Sequence, residues 1–288
     1  AYERGTLHVL DASRAVGVVG KLLSENDCDD FIAANAKLQD ELREKHYSKR
    51  KAKPLLPIAE ARARAPRIDW RADDIPQPEF TGVRVEDDFP LETLVEFIDW
   101  SPFFHAWELQ GRYPKVFDDS TVGEKAKELF DDAKELLDRI VGEKLFTAKC
   151  AYGFFPANCV GDDVELFTDD TRTKRLAKFQ FLRQQNDKVS EENHSLADFI
   201  APSETGMADH IGAFAVTAGH GVEELAKAFE ADNDDYNAIM AKALGDRLAE
   251  AFAECLHARA RREWGYGADE SLSSDELIRE KYRGIRPA

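Results

Sequence analysis

Cys150-Ala151-Tyr152-Gly153-Phe154-Phe155, then Val160-Gly161-Asp162-Asp163, then Val164-Glu165-Leu166-Phe167 decide the fold. The first stretch is rich in aromatic residues and suits a pleated, half-buried surface, so it predicts a strand. The second carries the Gly and Asp residues of a tight turn. The third predicts a second strand, and Lys178 to Leu182 a further one. Strands in sequence with short links predict an antiparallel meander. Ile211 to Thr217 predicts a fourth strand, apolar enough to lie centrally.

Helices surround this block. Leu91 to Trp100 predicts a helix that ends at Ser101-Pro102. Thr121-Val122-Gly123-Glu124 has the capping-box form, a hydroxyl followed three residues later by Glu. Ala126, Leu129, Phe130, Ala133, Leu137, Ile140 and Val141 then recur at helical spacing. A long helix is expected from about Asp234 to Trp264. Its apolar stripe would be Tyr236, Ile239, Met240, Ala243, Arg247, Ala251, Phe252 and Cys255. A last helix follows Ser273-Ser274-Asp275-Glu276 and ends at Gly284. Helices, then strands, then helices argue for an α+β fold.

Toward the N-terminus, Leu7-His8-Val9-Leu10 predicts a short buried strand. Asp11-Ala12-Ser13 caps the helix that follows, and a second helix covers roughly Asp27 to Tyr47. Lys51 to Pro90 contains Pro54, Pro57, Pro66, Pro76, Pro78 and Pro90. Each proline removes a backbone donor, so an extended linker without long regular elements is expected. The reading is residues 1–26 as a βα tail, 27–90 as helix and Pro-rich linker, and 91–288 as the main domain.

The chain has 288 residues and a net charge of −17. That balance disfavours nucleic acid and anionic membrane and weakly favours cationic ligands. Arg43 to Lys53 runs the other way, either as a solvated linker or as a dock for an acidic partner. No apolar run approaches the roughly 18 residues of a membrane span. Cys28, Cys150, Cys159 and Cys255 contain no C-x-x-C pair, which argues against a zinc site and a disulfide framework. The cytoplasm is the expected compartment. The histidines show no metal spacing, and there is no P-loop or G-x-S-x-G.

A few positions have the chemistry of a small-ligand site. Gly284 suits a helix end, and Pro287 forces Arg286 into an extended conformation. The outcome is either a frayed terminus or a strap whose guanidinium grips a carboxylate. Asp99, expected at a helix C-terminus, opposes the helix dipole there. It is either a cation receptor or an ordinary surface acid. Glu250 and Glu280 either line a cationic pocket or lie on solvated helix faces. Gly153 to Asn158 reads as a strand end turning at Pro156, with Asn158 either tying the turn or touching a ligand. Arg183-Gln184-Gln185 ends another strand, either as a polar sheet end or as a hydrogen-bonding group for a ligand.

Several blocks resemble a known family: Asp99-Trp100-Ser101-Pro102-Phe103-Phe104, Phe155-Pro156-Ala157-Asn158, Leu182-Arg183-Gln184-Gln185 and Leu196-Ala197-Asp198-Phe199. Ile211 to Thr217, Asp246 to Phe252 and Asp275 to Ala288 extend the match. Together they resemble the C-terminal activation domain of cobalamin-dependent methionine synthase. The resemblance implies a C-shaped α+β domain with a bent antiparallel sheet flanked by helices. A βα tail of a cobalamin-binding module and the Pro-rich linker would precede it.

The resemblance also implies a role. The domain would bind S-adenosylmethionine and position it for reductive methylation of cob(II)alamin, restoring methylcobalamin. It would do so as part of a larger methyltransferase that makes methionine from homocysteine. The cobalamin sits on a neighbouring module, and zinc belongs to the full enzyme rather than to this stretch. Flavodoxin or a similar reductase would be the partner. The family's R-x-x-x-G-Y motif places Arg286 on the ligand carboxylate and Ala288 beside the adenosine. Asp99 matches the acid that takes the ligand's amino group, and Glu250 and Glu280 match acids near the site. The motif's Gly and Tyr lie past Ala288, so the domain is expected to be truncated there. The competing expectation is a non-catalytic cap that docks on the cobalamin module or flavodoxin. Fragment catalysis is not expected in either case, and no catalytic residue is assigned.

Overall fold

The computed structural model describes residues 7–9, 12–24, 26–49, 55–187 and 192–266, with 276, 279 and 281. The chain divides into two compact units, Ala1–Pro57 with Gln185–Ser190, and Ile58–Gln184 with Glu191–Ala288.

The first unit holds α1 (Ala12–Leu22) and α2 (Cys28–Lys49). Ser24 and Asp27 close the turn between them: the Asp27 N–H donates to Ser24 Oγ and the hydroxyl donates to Asp27 Oδ2 at 2.8 Å. Leu7 to Val9 form no strand, contrary to expectation, and Leu10 lies outside the described residues. A strand needs a neighbour for its backbone groups, and no described segment pairs with this one.

In the second unit, α3 (Ile58–Ala63) and β1 (Gly82–Phe89) arise inside the stretch expected to be an extended linker. Proline spacing explains the difference. Residues 79–89 are free of proline, long enough for a strand with all its donors. The apolar Val83 and Val85 point to an exposed face, 61% and 62% accessible, so β1 lacks the alternation that marks a half-buried strand.

Next come α4 (Leu91–Leu94), α5 (Ser101–Ala106), α6 (Gly123–Gly142), β2 (Thr147–Val160), β3 (Asp163–Phe167), β4 (Arg175–Gln180), β5 (Asp209–His220), α7 (Val222–Ala231) and α8 (Asp235–Glu263). The antiparallel meander is present: β2 pairs β3 through the predicted turn at Gly161-Asp162, and β3 pairs β4. β2 is the spine. Its first half pairs β1 from Phe89↔Ala148 to Gly82↔Phe154, and its last residues pair β3. The opposite edge of β2 carries β5, from Thr147↔His220 to Ala157↔Asp209.

β5 therefore has one strand partner among the described residues and is not central. Its apolar composition reflects packing by α7 and α8 on one face, not enclosure between strands. β2 also does not end at Pro156. Residues 155 and 156 fall in the gap between β1 and β3, where the missing proline donor leaves no ladder bond unmade on that edge.

The helical expectation at Leu91–Trp100 is also corrected. The helix breaks after Leu94 into a 3₁₀ turn at Val95–Phe97 and extends at Ile98. Ser101-Pro102 then starts α5 instead of ending a helix, because proline fits the first turn, where its missing N–H costs nothing. At α6 the capping box does not form: Asp119 Oδ1 accepts the N–H groups of Thr121 and Val122 at 2.8 and 3.0 Å. The earlier acid thus takes the Thr121 N–H, the donor that the Glu124 side chain would have bonded.

One core joins α6, α8, β2 and the α4–α5 segment. Leu137 and Ile140 meet Leu94, Phe104, Met240, Leu244 and Phe252, all fully buried. The buried stripe of α8 runs Met240, Ala241, Leu244, Leu248, Ala251, Phe252 and Cys255. Tyr236 and Ile239, expected on that stripe, are 40% and 54% exposed. Close approach of α7 sets the rotation. A Cβ on Gly245 would lie 2.7 Å from a Val222 methyl, so the backbone of α8 faces α7 at that point.

Candidate functional site

Asp99 sits in the short extended link between the 3₁₀ turn and α5, half-buried. Its Oδ1 accepts the Ser101 N–H at 2.9 Å. The carboxylate thus lies at the start of a helix, not at an end that opposes it, and the expected dipole conflict is absent. Ser101 Oγ in turn accepts the Tyr113 N–H at 3.2 Å. Trp100 is buried, its ring 4.8 Å from Phe130 and 5.4 Å from Phe103. Tyr113 also packs on Phe130, with centroids 5.5 Å apart. Aromatic side chains of α5 and α6 therefore hold Trp100, which follows the acid, and Tyr113, which bonds Ser101.

Glu250 is exposed on α8 between buried Leu248 and Ala251. The helix that carries it packs against α4, α5 and the 3₁₀ turn before Asp99. Asp99 and Glu250 are thus borne by elements of one core, without a direct bond between them. Among the described residues neither carboxylate forms an ion pair. Arg286, Ala288 and Glu280 lie outside the described residues. No three described His, Cys, Asp or Glu side chains cluster as a metal site.

The other polar groups with candidate chemistry are tied up structurally. Asn158 is buried within β2. Its Nδ2 donates to the carbonyls of Ala201 and Met207, both at 2.9 Å, and its Oδ1 accepts from Arg172 at 2.8 Å. Arg172 also donates to the Asp209 carbonyl at 2.8 Å. Burial raises the Asp209 carboxyl, although the N–H groups of Ala201 and His210 oppose that. His210 is 2% exposed, and burial lowers it, with Arg172 adding to the effect.

Arg183 is not a polar strand end. It lies past β4, 8% exposed, gripping Asp198 with two bonds of 2.6 and 2.9 Å and Asp162 with one of 2.8 Å. Arg62 reaches the other oxygen of Asp162 at 2.8 Å. Burial alone would raise the Asp162 carboxyl, but the two guanidinium groups hold it below the usual carboxylate range. A second network joins β1, β2 and α8: Tyr152 donates to Glu263 at 2.9 Å, and Arg259 donates to Glu263 at 3.1 Å and to Glu86. Burial pushes the Cys159 and Cys255 thiols up to about 11, so neither is a nucleophile at neutral pH.

The sequence reading missed Ser101 and Tyr113. An Asp followed two residues later by a backbone donor is the spacing of an Asx turn, and that signal was present in Asp99-Trp100-Ser101. The partner Tyr113 had no local signal, since it arrives from a loop.

The architecture defines a mixed α/β domain whose curled antiparallel half-barrel sheet is flanked by helices. Residues 90–288 match the family described as vitamin B12 dependent methionine synthase, activation domain, and the chain belongs to that family. It is also similar to a solved structure, the crystal structure of the MetH reactivation domain bound to AdoHcy. The two are 50% identical with a TM-score of 0.78, over 82% of this chain and 72% of that one. No helix among the described residues is long and apolar enough to cross a membrane.

Proposed function

We propose that this chain binds S-adenosylmethionine and holds its methyl group ready for reductive methylation of cob(II)alamin on a neighbouring module. The observation that carries this reading is the 50% identity to a reactivation domain bound to AdoHcy, the demethylated form of the same ligand. Asp99 supports it on chemical grounds. A half-buried carboxylate with no cationic partner among the described residues suits the ligand's ammonium, and a charge-assisted bond there is worth about 1.5–3 kcal/mol. Glu250 and Glu280 would add negative potential for the sulfonium. Arg286 would pair with the carboxylate through two parallel bonds, and the Ala288 backbone would meet the adenosine.

Cobalamin, when bound by its own module, supplies the metal chemistry; this chain's residues bind and orient the methyl donor. Presenting that donor in line is a proximity task, which depends on fixed geometry more than on acid–base groups. We assign residues 1–26 to the end of the cobalamin-binding module, 27–90 to a helix and linker, and 91–288 to the activation domain. The electron would come from flavodoxin or a similar reductase in the cytoplasm. Methyl transfer to homocysteine, and the zinc it uses, belong to the rest of the enzyme. The alternative of a ligand-free docking cap lacks comparable support.

Calorimetric titration of S-adenosylhomocysteine and S-adenosylmethionine into the chain tests the reading. Saturable binding is expected, weakened roughly 10- to 100-fold in Asp99→Asn, the fold-change equivalent of that bond energy. Wild-type protein that takes up neither ligand would overturn it.

A further inference from the structure

We propose that Ser101 is a positioning residue for the ligand's ammonium, acting through Asp99 and locked by Tyr113. The inference rests on the reading of Asp99 as the ammonium receptor. Asp99 Oδ1 is occupied by the Ser101 N–H at 2.9 Å, and no described residue bonds Oδ2. One oxygen is therefore used to set the rotamer while the other remains as an acceptor. An acid fixed in this way loses little side-chain freedom on binding, whereas a swinging one gives up part of the contact energy to ordering.

The N–H of Ser101 can do this only if its own backbone is held. Two contacts hold it. On one side Ser101 Oγ accepts the Tyr113 N–H at 3.2 Å, which ties α5 to the loop at residues 111–114. That loop is closed by the Val116 N–H donating to the Arg112 carbonyl at 2.9 Å. On the other side Trp100 is buried in the core. The rings of Trp100 and Tyr113 both pack on Phe130 of α6, at 4.8 and 5.5 Å. Trp100, next to the acid in the chain, and Tyr113, bonded to Ser101, thus share one anchor. Losing the Ser101 hydroxyl frees the loop and leaves the Tyr113 N–H without its acceptor. The bond that orients Asp99 remains, but its donor is no longer fixed.

The test is a thermodynamic cycle on the whole chain, with S-adenosylhomocysteine as the probe, calorimetry as the readout and a thermal melt on each variant. Ser101→Ala is expected to weaken binding about three- to tenfold, and Ser101→Thr, which keeps the hydroxyl, to restore it. Ser101→Ala in an Asp99→Asn background is expected to add no further loss, because its effect passes through the carboxylate. A purely structural role would give the same loss in both backgrounds, and that result would overturn the inference. So would wild-type affinity in Ser101→Ala. Wild-type protein that binds no probe would remove this inference together with the reading beneath it. Binding that responds to Asp99→Asn but not to Ser101→Ala would remove the inference alone.

Discussion

Replacing Arg183 by Met should be among the most destabilising changes available outside the apolar core. The side chain is 3% exposed, and its partners Asp198 and Asp162 are 9% and 10% exposed. Methionine fills a similar apolar volume but supplies none of the donors. Asp198 would keep only the Ser195 N–H at 2.7 Å, and the Asn193 carbonyl would lose a 2.7 Å bond. Asp162 would keep Arg62. Removing one partner of a buried ion pair costs about 3–5 kcal/mol, mostly the penalty of the charge left behind.

At about 2–4 °C per kcal/mol for a domain of this size, the midpoint of thermal unfolding should fall by roughly 6–20 °C. Differential scanning calorimetry measures that shift. Two further results follow from the same cause. Arg183→Met/Asp198→Asn should cost less than the sum of the single changes, because the stranded charge is gone. The wild-type advantage should also depend on pH. Asp162 is held below the ordinary carboxylate value, so its contribution is fully present above about pH 4 and is lost as pH falls through the folded value. The gap between wild type and Arg183→Met should therefore narrow in acid. A loss under about 1 kcal/mol that is the same at pH 7 and pH 3 would refute the argument.

Two other changes probe the sheet. Gly221 has a φ of 99°, and a Cβ there would lie 2.1 Å from the Leu145 carbonyl oxygen, so Gly221→Ala should cost at least about 2 kcal/mol in urea unfolding. An unchanged midpoint would show that this turn yields freely. Tyr152→Phe removes a 2.9 Å bond to Glu263, which still keeps Arg259 at 3.1 Å. The expected loss is about 1 kcal/mol; more than about 3 kcal/mol would mean that the ion pair depends on the phenol.

How far the sequence could be read depends on how local each signal is. The β2–β3 turn was legible because Gly161 and Asp162 mark it within four residues, and helices α6 and α8 because their apolar spacing repeats. The start of α5 was misread. Ser101-Pro102 stops one helix or begins another with equal local sense, and the break at Ile98 decides between them. β1 was hidden because its valines face outward. Asp99 was legible as an acid among aromatics, while its orientation by Ser101 and Tyr113 was not.

By itself the sequence determined the α+β class, the meander and the family, since these follow from periodicity, turn chemistry and unusual local blocks. Only the tertiary structure decided that β5 has a single strand partner among the described residues, that Arg183 closes a buried ion cluster, and that Asp99 stands at a helix start. Each of these depends on contacts between residues far apart in the chain. Asp99 and Tyr113 are joined through a serine, Arg183 and Asp162 across a hairpin, and Tyr152 and Glu263 from sheet to helix. Hydrogen bonds and burial act on distance in space, and local patterns along the chain do not encode it.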